Sequence, residues 1–129
     1  MKSVLAIMSL FIGLSAGAAQ LSITAADDAV SQDYGSYNFG TVWVNHRAVA
    51  RWTVTNTGTT PLTYKEAYIY GRDFRAVHNC EKGLQPKEKC AFEVEYWPMF
   101  EGPSSGRFVL EFQENDQVVI DLWGQAQRM

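Results

Sequence analysis

The chain is short of the residues most chemistry needs. Among 129 residues there are two histidines and two cysteines, and only 19% are charged. No CxxC pair and no second cysteine pair is present, which argues against a thiol-redox motif or a cysteine zinc site. His46 and His78, with Cys80, Met99 and Met129, carry imidazole and sulfur ligands of the kind that suit copper, but no HxH or MxxM cluster gathers them. No GxSxG elbow exists, and Ser104-Ser105 has no histidine near it in sequence. The positive charges are scattered as Arg47 and Arg51, Arg72 and Arg75, Lys87 and Lys89. Without a basic stripe for a phosphate backbone, nucleic acid is not an expected partner. An internal repeat is also missing, which excludes a solenoid or propeller.

No apolar run is long enough to stay in a membrane. Val4 to Leu14 is an uncharged run of eleven residues, about 16 Å as a helix against a bilayer core of about 30 Å. Met1-Lys2-Ser3 precedes it and Ser15-Ala16-Gly17-Ala18-Ala19 follows. A positive start, a short apolar run and small residues make up a signal peptide, with a buried N-terminal helix as the competing reading. Residues 1–19 are therefore expected to be removed near Ala18 or Ala19, for a periplasmic or extracellular destination. With no cysteine at the junction, no stable membrane anchor is expected after cleavage. The remainder, about 110 residues, suits one domain with one modest core. Its charge becomes one unit more negative than the whole-chain −3, because Lys2 leaves with the signal.

An exported chain with two cysteines points to a bridge, because that compartment is oxidising. Cys80 and Cys90 flank a stretch holding Gly83 and Pro86, which lets the chain turn back. A structural disulfide is expected there.

Alternation with a period of two dominates the rest. Residues 20–36 read as an N-terminal strand or linker, with a brief strand at Leu21 to Thr24 and a turn from Asp33 to Ser36 around Gly35. Ala50, Trp52 and Val54 share one face against Arg51, Thr53 and Thr55. Asn56 to Pro61 breaks this strand, Leu62 to Tyr70 resumes it, and Phe74 to His78 is a further short strand. Cys90, Phe92, Val94 and Tyr96 alternate with Ala91, Glu93, Glu95 and Trp97. Phe108, Leu110 and Phe112, then Val118, Ile120 and Leu122, are the inward sets of a hairpin turning at Glu114-Asn115-Asp116. Trp52, Phe92, Val94, Phe108, Leu110, Ile120 and Leu122 are the expected core. About seven strands with turns every eight to twelve residues predict an all-β fold, an antiparallel β-sandwich, with a closed barrel as the alternative.

An ordered set of short motifs runs through 37–129. It comprises Asn38-Phe39-Gly40, Thr55-Asn56-Thr57-Gly58, Gly71-Arg72-Asp73-Phe74, Asn79-Cys80, Pro86 to Cys90, Pro98 and Gly102 to Gly106. This set resembles the ASH module, the abnormal-spindle/hydin-like and choice-of-anchor-D-like immunoglobulin-like domain found in bacterial exported proteins. The chain departs from it at Lys87-Glu88, where similar modules place glycine, and at Trp97, Met99 and Phe100, where they run polar. The resemblance implies an immunoglobulin-like sandwich in a scaffold or interaction role, with Cys80 and Cys90 bridged and no shared active site.

No nucleophile, base and orienting group assemble, so no catalytic residue, no cofactor and no metal is expected. Glu93 and Glu95 sit about 7 Å apart on one strand face, a spacing glycosidases use, yet such pairs more often keep a sheet face solvated. The surplus is aromatic. Trp97, Met99, Phe100, Trp123 and Tyr70 fall outside the inward phase and are the candidate partner-binding residues for a protein partner. Packing over the sheet ends is the competing reading. A carbohydrate- or envelope-binding domain stacking on Trp97, Trp123 and Tyr70, or a metal-handling protein built on His46 and His78, are the alternatives.

Overall fold

The computed structural model describes residues 21–25, 29–30 and 34–128, so the expected signal peptide lies outside the described residues. These residues form nine strands and no helix: β1 (Leu21–Ala25), β2 (Ala29–Val30), β3 (Tyr34–Trp43), β4 (Ala48–Asn56), β5 (Tyr64–Tyr70), β6 (Phe74–His78), β7 (Lys89–Tyr96), β8 (Gly102–Phe112) and β9 (Gln117–Gln127). They make a sandwich of two sheets rather than a closed barrel. One sheet has the order β2-β1-β4-β7-β6 and the other β3-β9-β8-β5.

Alternating side chains explain why the sheets stack. Trp52, Val54, Phe92, Val94 and Tyr96 project from the first sheet, and Phe108, Leu110, Phe112, Val118, Ile120 and Leu122 from the second, into one buried cluster. All seven residues expected in the core are in it. Phe92 stacks on Trp52 within its own sheet, at 5.0 Å between ring centroids, and on Phe108 of the opposite sheet at 4.3 Å. Burying a side chain of this size contributes about 1.5–3 kcal/mol, so the shared cluster is a source of cohesion between the sheets.

The Cys80–Cys90 disulfide forms as expected, with Cα atoms 5.2 Å apart and both residues in the core cluster. Asn79 sets it up. Its side-chain oxygen accepts from Ala91 N at 2.8 Å, and its backbone N–H donates to Ala91 O at 3.1 Å, which holds Cys80 against the start of β7.

Two local expectations fail. Gly35 is not in a turn: it lies within β3, in register with Ile120, and β3 runs parallel to β9. Glycine reads locally as a break, whereas this strand is imposed by a partner more than eighty residues away. The other concerns Gly102 to Gly106, where the string Gly-Pro-Ser-Ser-Gly reads as a loop. These residues open β8, pairing from Gly102 opposite Ala126 to Gly106 opposite Leu122. β5 stops opposite Arg107, which leaves that end of β8 a free edge where Pro103 is tolerated.

Candidate functional site

Three connections meet at one end of the sandwich: β3 to β4, β5 to β6, and β7 to β8. The last spans only residues 97–101. It is held at both sides. Trp97 N donates to Asp73 O at 2.9 Å, and Pro98 O accepts from Asn45 N at 2.8 Å. Pro98 is itself fully buried. A loop clipped this way keeps its shape without a partner.

The clipped loop turns its apolar side chains outward. Trp97 is 38% exposed, Met99 52% and Phe100 59%. They line a groove of about 330 Å³ together with Arg72, Asp73 and Arg75. The arginines hold the rings in place. Arg47 and Arg75 stand 5.8 and 5.9 Å from the Trp97 ring centroid, and Arg72 stands 5.2 Å from that of Phe100. Such cation–π contacts orient a ring without burying it.

Carboxylates sit beneath this layer. Glu95 lies 2.8 Å from Arg47 and 4.0 Å from Arg75, so one carboxylate serves two guanidinium groups. Asp73, nearly buried, accepts from the Ser104 hydroxyl at 3.0 Å and faces Arg72 at 3.8 Å. Three arginines against two carboxylates leave the rim with one net positive charge, in a chain whose total is −3.

The sequence expectations divide here. Trp97, Met99 and Phe100 come together as expected. Trp123 (44% exposed) and Tyr70 (59% exposed) do not join them. Trp123 lies in register with Ser105 and Asn38 on the other sheet, and Tyr70 packs edge-on against Tyr68 at 5.4 Å. The Tyr68 phenol is pushed above its ordinary value by desolvation and by its hydrogen bond to Glu111 at 3.1 Å, which leaves it a structural donor. Trp97, Trp123 and Tyr70 therefore do not make one stacking platform. The sequence carries no local sign that Arg47 joins Arg72 and Arg75, because it lies about 25 residues before them and only the fold brings it to the Trp97 ring. Trp43, at the end of β3, is also 45% exposed.

Other candidate chemistry resolves into structure. Glu93 pairs with Arg51 and Glu95 with Arg47, so neither is a free acid or base. His46 sits in the β3–β4 turn beside Val44 O, while the His78 ring, at the end of β6 and in register with Phe92, accepts from Cys80 N at 3.1 Å. Trp52 and Phe92, level with His78, are four strand positions, roughly 13 Å, from Ala48 at the turn that holds His46, so the two histidines are not neighbours. Among the described residues no three of His, Cys, Asp and Glu group as a metal site.

A disulfide-pinned two-sheet sandwich with an apolar, arginine-rimmed end defines an immunoglobulin-like module. A family model described as the HYDIN/CFA65/VesB-like, Ig-like domain matches residues 29–125, and the chain belongs to that family. Three solved structures share the fold. The ASH/PapD-like domain of human CEP192 (PapD-like domain 7) is 12% identical, with 98% of this chain and 99% of that one covered and a TM-score of 0.66. The Vibrio cholerae VesB protease is 17% identical, with 82% of this chain and 32% of that chain covered, at TM-score 0.60. The secreted serine protease VesC from Vibrio cholerae is 17% identical, with 69% and 21% covered, at TM-score 0.56. The chain thus spans about a third of VesB and about a fifth of VesC. No curated protein matches by sequence.

Proposed function

We propose that the chain is an exported, non-enzymatic protein-binding or assembly module, and that its binding surface is the end groove. One observation carries the reading: Trp97, Met99 and Phe100 are exposed together on a loop clipped at both sides. Exposed aromatics and methionine are the residues that anchor interfaces, and a preformed loop loses little entropy on docking. The family membership supports a domain of this class, and the disulfide suits an oxidising compartment outside the cytoplasm. The sequence of residues 1–19 supports export into the periplasm or beyond.

The test compares the tagged parent with a Trp97→Ala, Phe100→Ala double variant in pull-down from the native envelope fraction. Circular dichroism should show an intact fold, and partner recovery should fall at least about tenfold, equivalent to about 1.4 kcal/mol. Equal recovery with an intact fold would place the surface elsewhere.

A further inference from the structure

The groove is specific about charge as well as shape. Arg72 and Arg75 keep 74% and 73% of their side chains exposed, and Arg47 60%, although each has a carboxylate nearby. Glu95 is shared by two of them, so it cannot saturate the donors of both. A guanidinium carries five N–H donors in a planar fork that matches a carboxylate bidentately. Exposed fork donors therefore flank the apolar floor made by Trp97, Met99 and Phe100. About 330 Å³ is at the small end for a ligand pocket. That volume suits one or two side chains rather than a whole cofactor.

We propose that the groove takes a partner segment in which an apolar side chain is flanked by aspartate or glutamate. The apolar side chain seats among Trp97, Met99 and Phe100, and the flanking carboxylates meet Arg72 and Arg75. This rests on the groove being the binding surface, and it names the chemistry of what binds there. An anionic membrane is the less favoured occupant. The chain as a whole carries −3 and is repelled by such a surface, and the one net positive charge at the groove rim does not offset this. Charge complementarity of this kind sets specificity and encounter rate more than raw affinity, so a preference between matched ligands is the informative readout.

The probes are three capped hexapeptides, Gly-Asp-Asp-Phe-Glu-Gly, its Asn/Gln isostere Gly-Asn-Asn-Phe-Gln-Gly, and Gly-Lys-Lys-Phe-Lys-Gly. Each is titrated into the ¹⁵N-labelled protein that begins after Ala19, alongside vesicles of phosphatidylglycerol. The acidic peptide should move the amides of residues 72–75 and the indole of Trp97, and bind at least tenfold more tightly than the isostere. An Arg72→Glu, Arg75→Glu variant should reverse the order in favour of the lysine peptide, and the spectrum of the free variant reports whether it is folded. If that variant does not fold, Arg72→Gln alone should still reduce the preference. Equal binding of the acidic peptide and its isostere overturns the proposal, as does no binding of the acidic peptide, or binding to vesicles alone. The double-alanine pull-down is independent of these titrations. Loss of the natural partner in that pull-down, together with no acidic preference here, would keep the groove as the binding surface and reject only its charge specificity.

Discussion

Gly124 of β9 lies against the ring of Tyr96 of β7, so close that a Cβ at position 124 would stand 2.4 Å from Tyr96 Cε2. The absent side chain is what lets a tyrosine fit between the sheets at this end. Tyr96 also stacks on Phe74 at 5.0 Å and lies 5.6 Å from Phe39, so the ring cannot simply retreat. Gly124→Ala is expected to destabilise by about 1–3 kcal/mol, the usual range for overpacking a filled core. Urea unfolding would read it, and an unchanged midpoint would show that the ring has room to move.

Tyr96 supports a second prediction of opposite sign. Its phenol oxygen is buried and meets no hydrogen-bond partner. A buried polar atom left this way costs about 1–3 kcal/mol relative to hydration, so Tyr96→Phe should be neutral or stabilising. Destabilisation beyond about 1 kcal/mol in the same unfolding assay would mean that the hydroxyl is satisfied.

Asn56 is the fully buried hub of the opposite end. Its amide donates to Thr60 O at 2.9 Å and Leu84 O at 3.0 Å, and its side-chain oxygen accepts from Gly58 N at 2.9 Å. Asn56→Ala strands three backbone groups and should cost roughly 3 kcal/mol. Asn56→Asp should be worse near neutral pH, because it turns a carboxylate oxygen toward two carbonyls. Thermal unfolding of the pair checks the order, and an aspartate variant more stable than the alanine one would contradict it.

The Asn56-Thr57-Gly58 and Asn79-Cys80 motifs show what was legible in the sequence. Each is a recognisable string, and each is a side chain binding backbone close to it in the fold. The strands were legible because Trp52 and Val54 alternate with Arg51, Thr53 and Thr55, and Phe92 and Val94 with Ala91, Glu93 and Glu95. β3 was less so. Tyr37 and Phe39 alternate with Ser36 and Asn38, yet Gly35 and Gly40 interrupt the pattern, and a parallel partner leaves no local mark. Of the groove, Trp97, Met99 and Phe100 could be read directly because they are contiguous. Arg47, Arg72 and Arg75 could not, because only the fold brings the β3–β4 turn, the β5–β6 turn and β6 to one place.

Glu114 gives an acid-side signature. Desolvation works to raise its carboxyl, but hydrogen bonds from Thr63, including the amide at 2.8 Å, outweigh this and hold it below its ordinary 4.5. A depressed folded value stabilises the protein above the unfolded value, and that stabilisation is lost as pH falls through the folded one. The parent should therefore lose more stability than Glu114→Gln when denaturant midpoints are compared between roughly pH 6 and pH 3. Parallel curves would remove Glu114 from the account.

The bridge from Cys80 to Cys90 should leave no thiol to alkylate in native, unreduced protein, as intact mass would show. Reduction should lower stability by about 3 kcal/mol, since the short closed loop restrains the unfolded chain. Alkylation of both cysteines without reductant would contradict the pairing.

The claim that the end groove is the binding surface is tested most directly by photo-crosslinking in the producing cell. A benzophenone amino acid replaces Phe100 in one variant and Trp123 in another, two exposed rings on different surfaces. The account predicts a discrete protein adduct from position 100 and none from position 123. An adduct from 123 with none from 100 would contradict it.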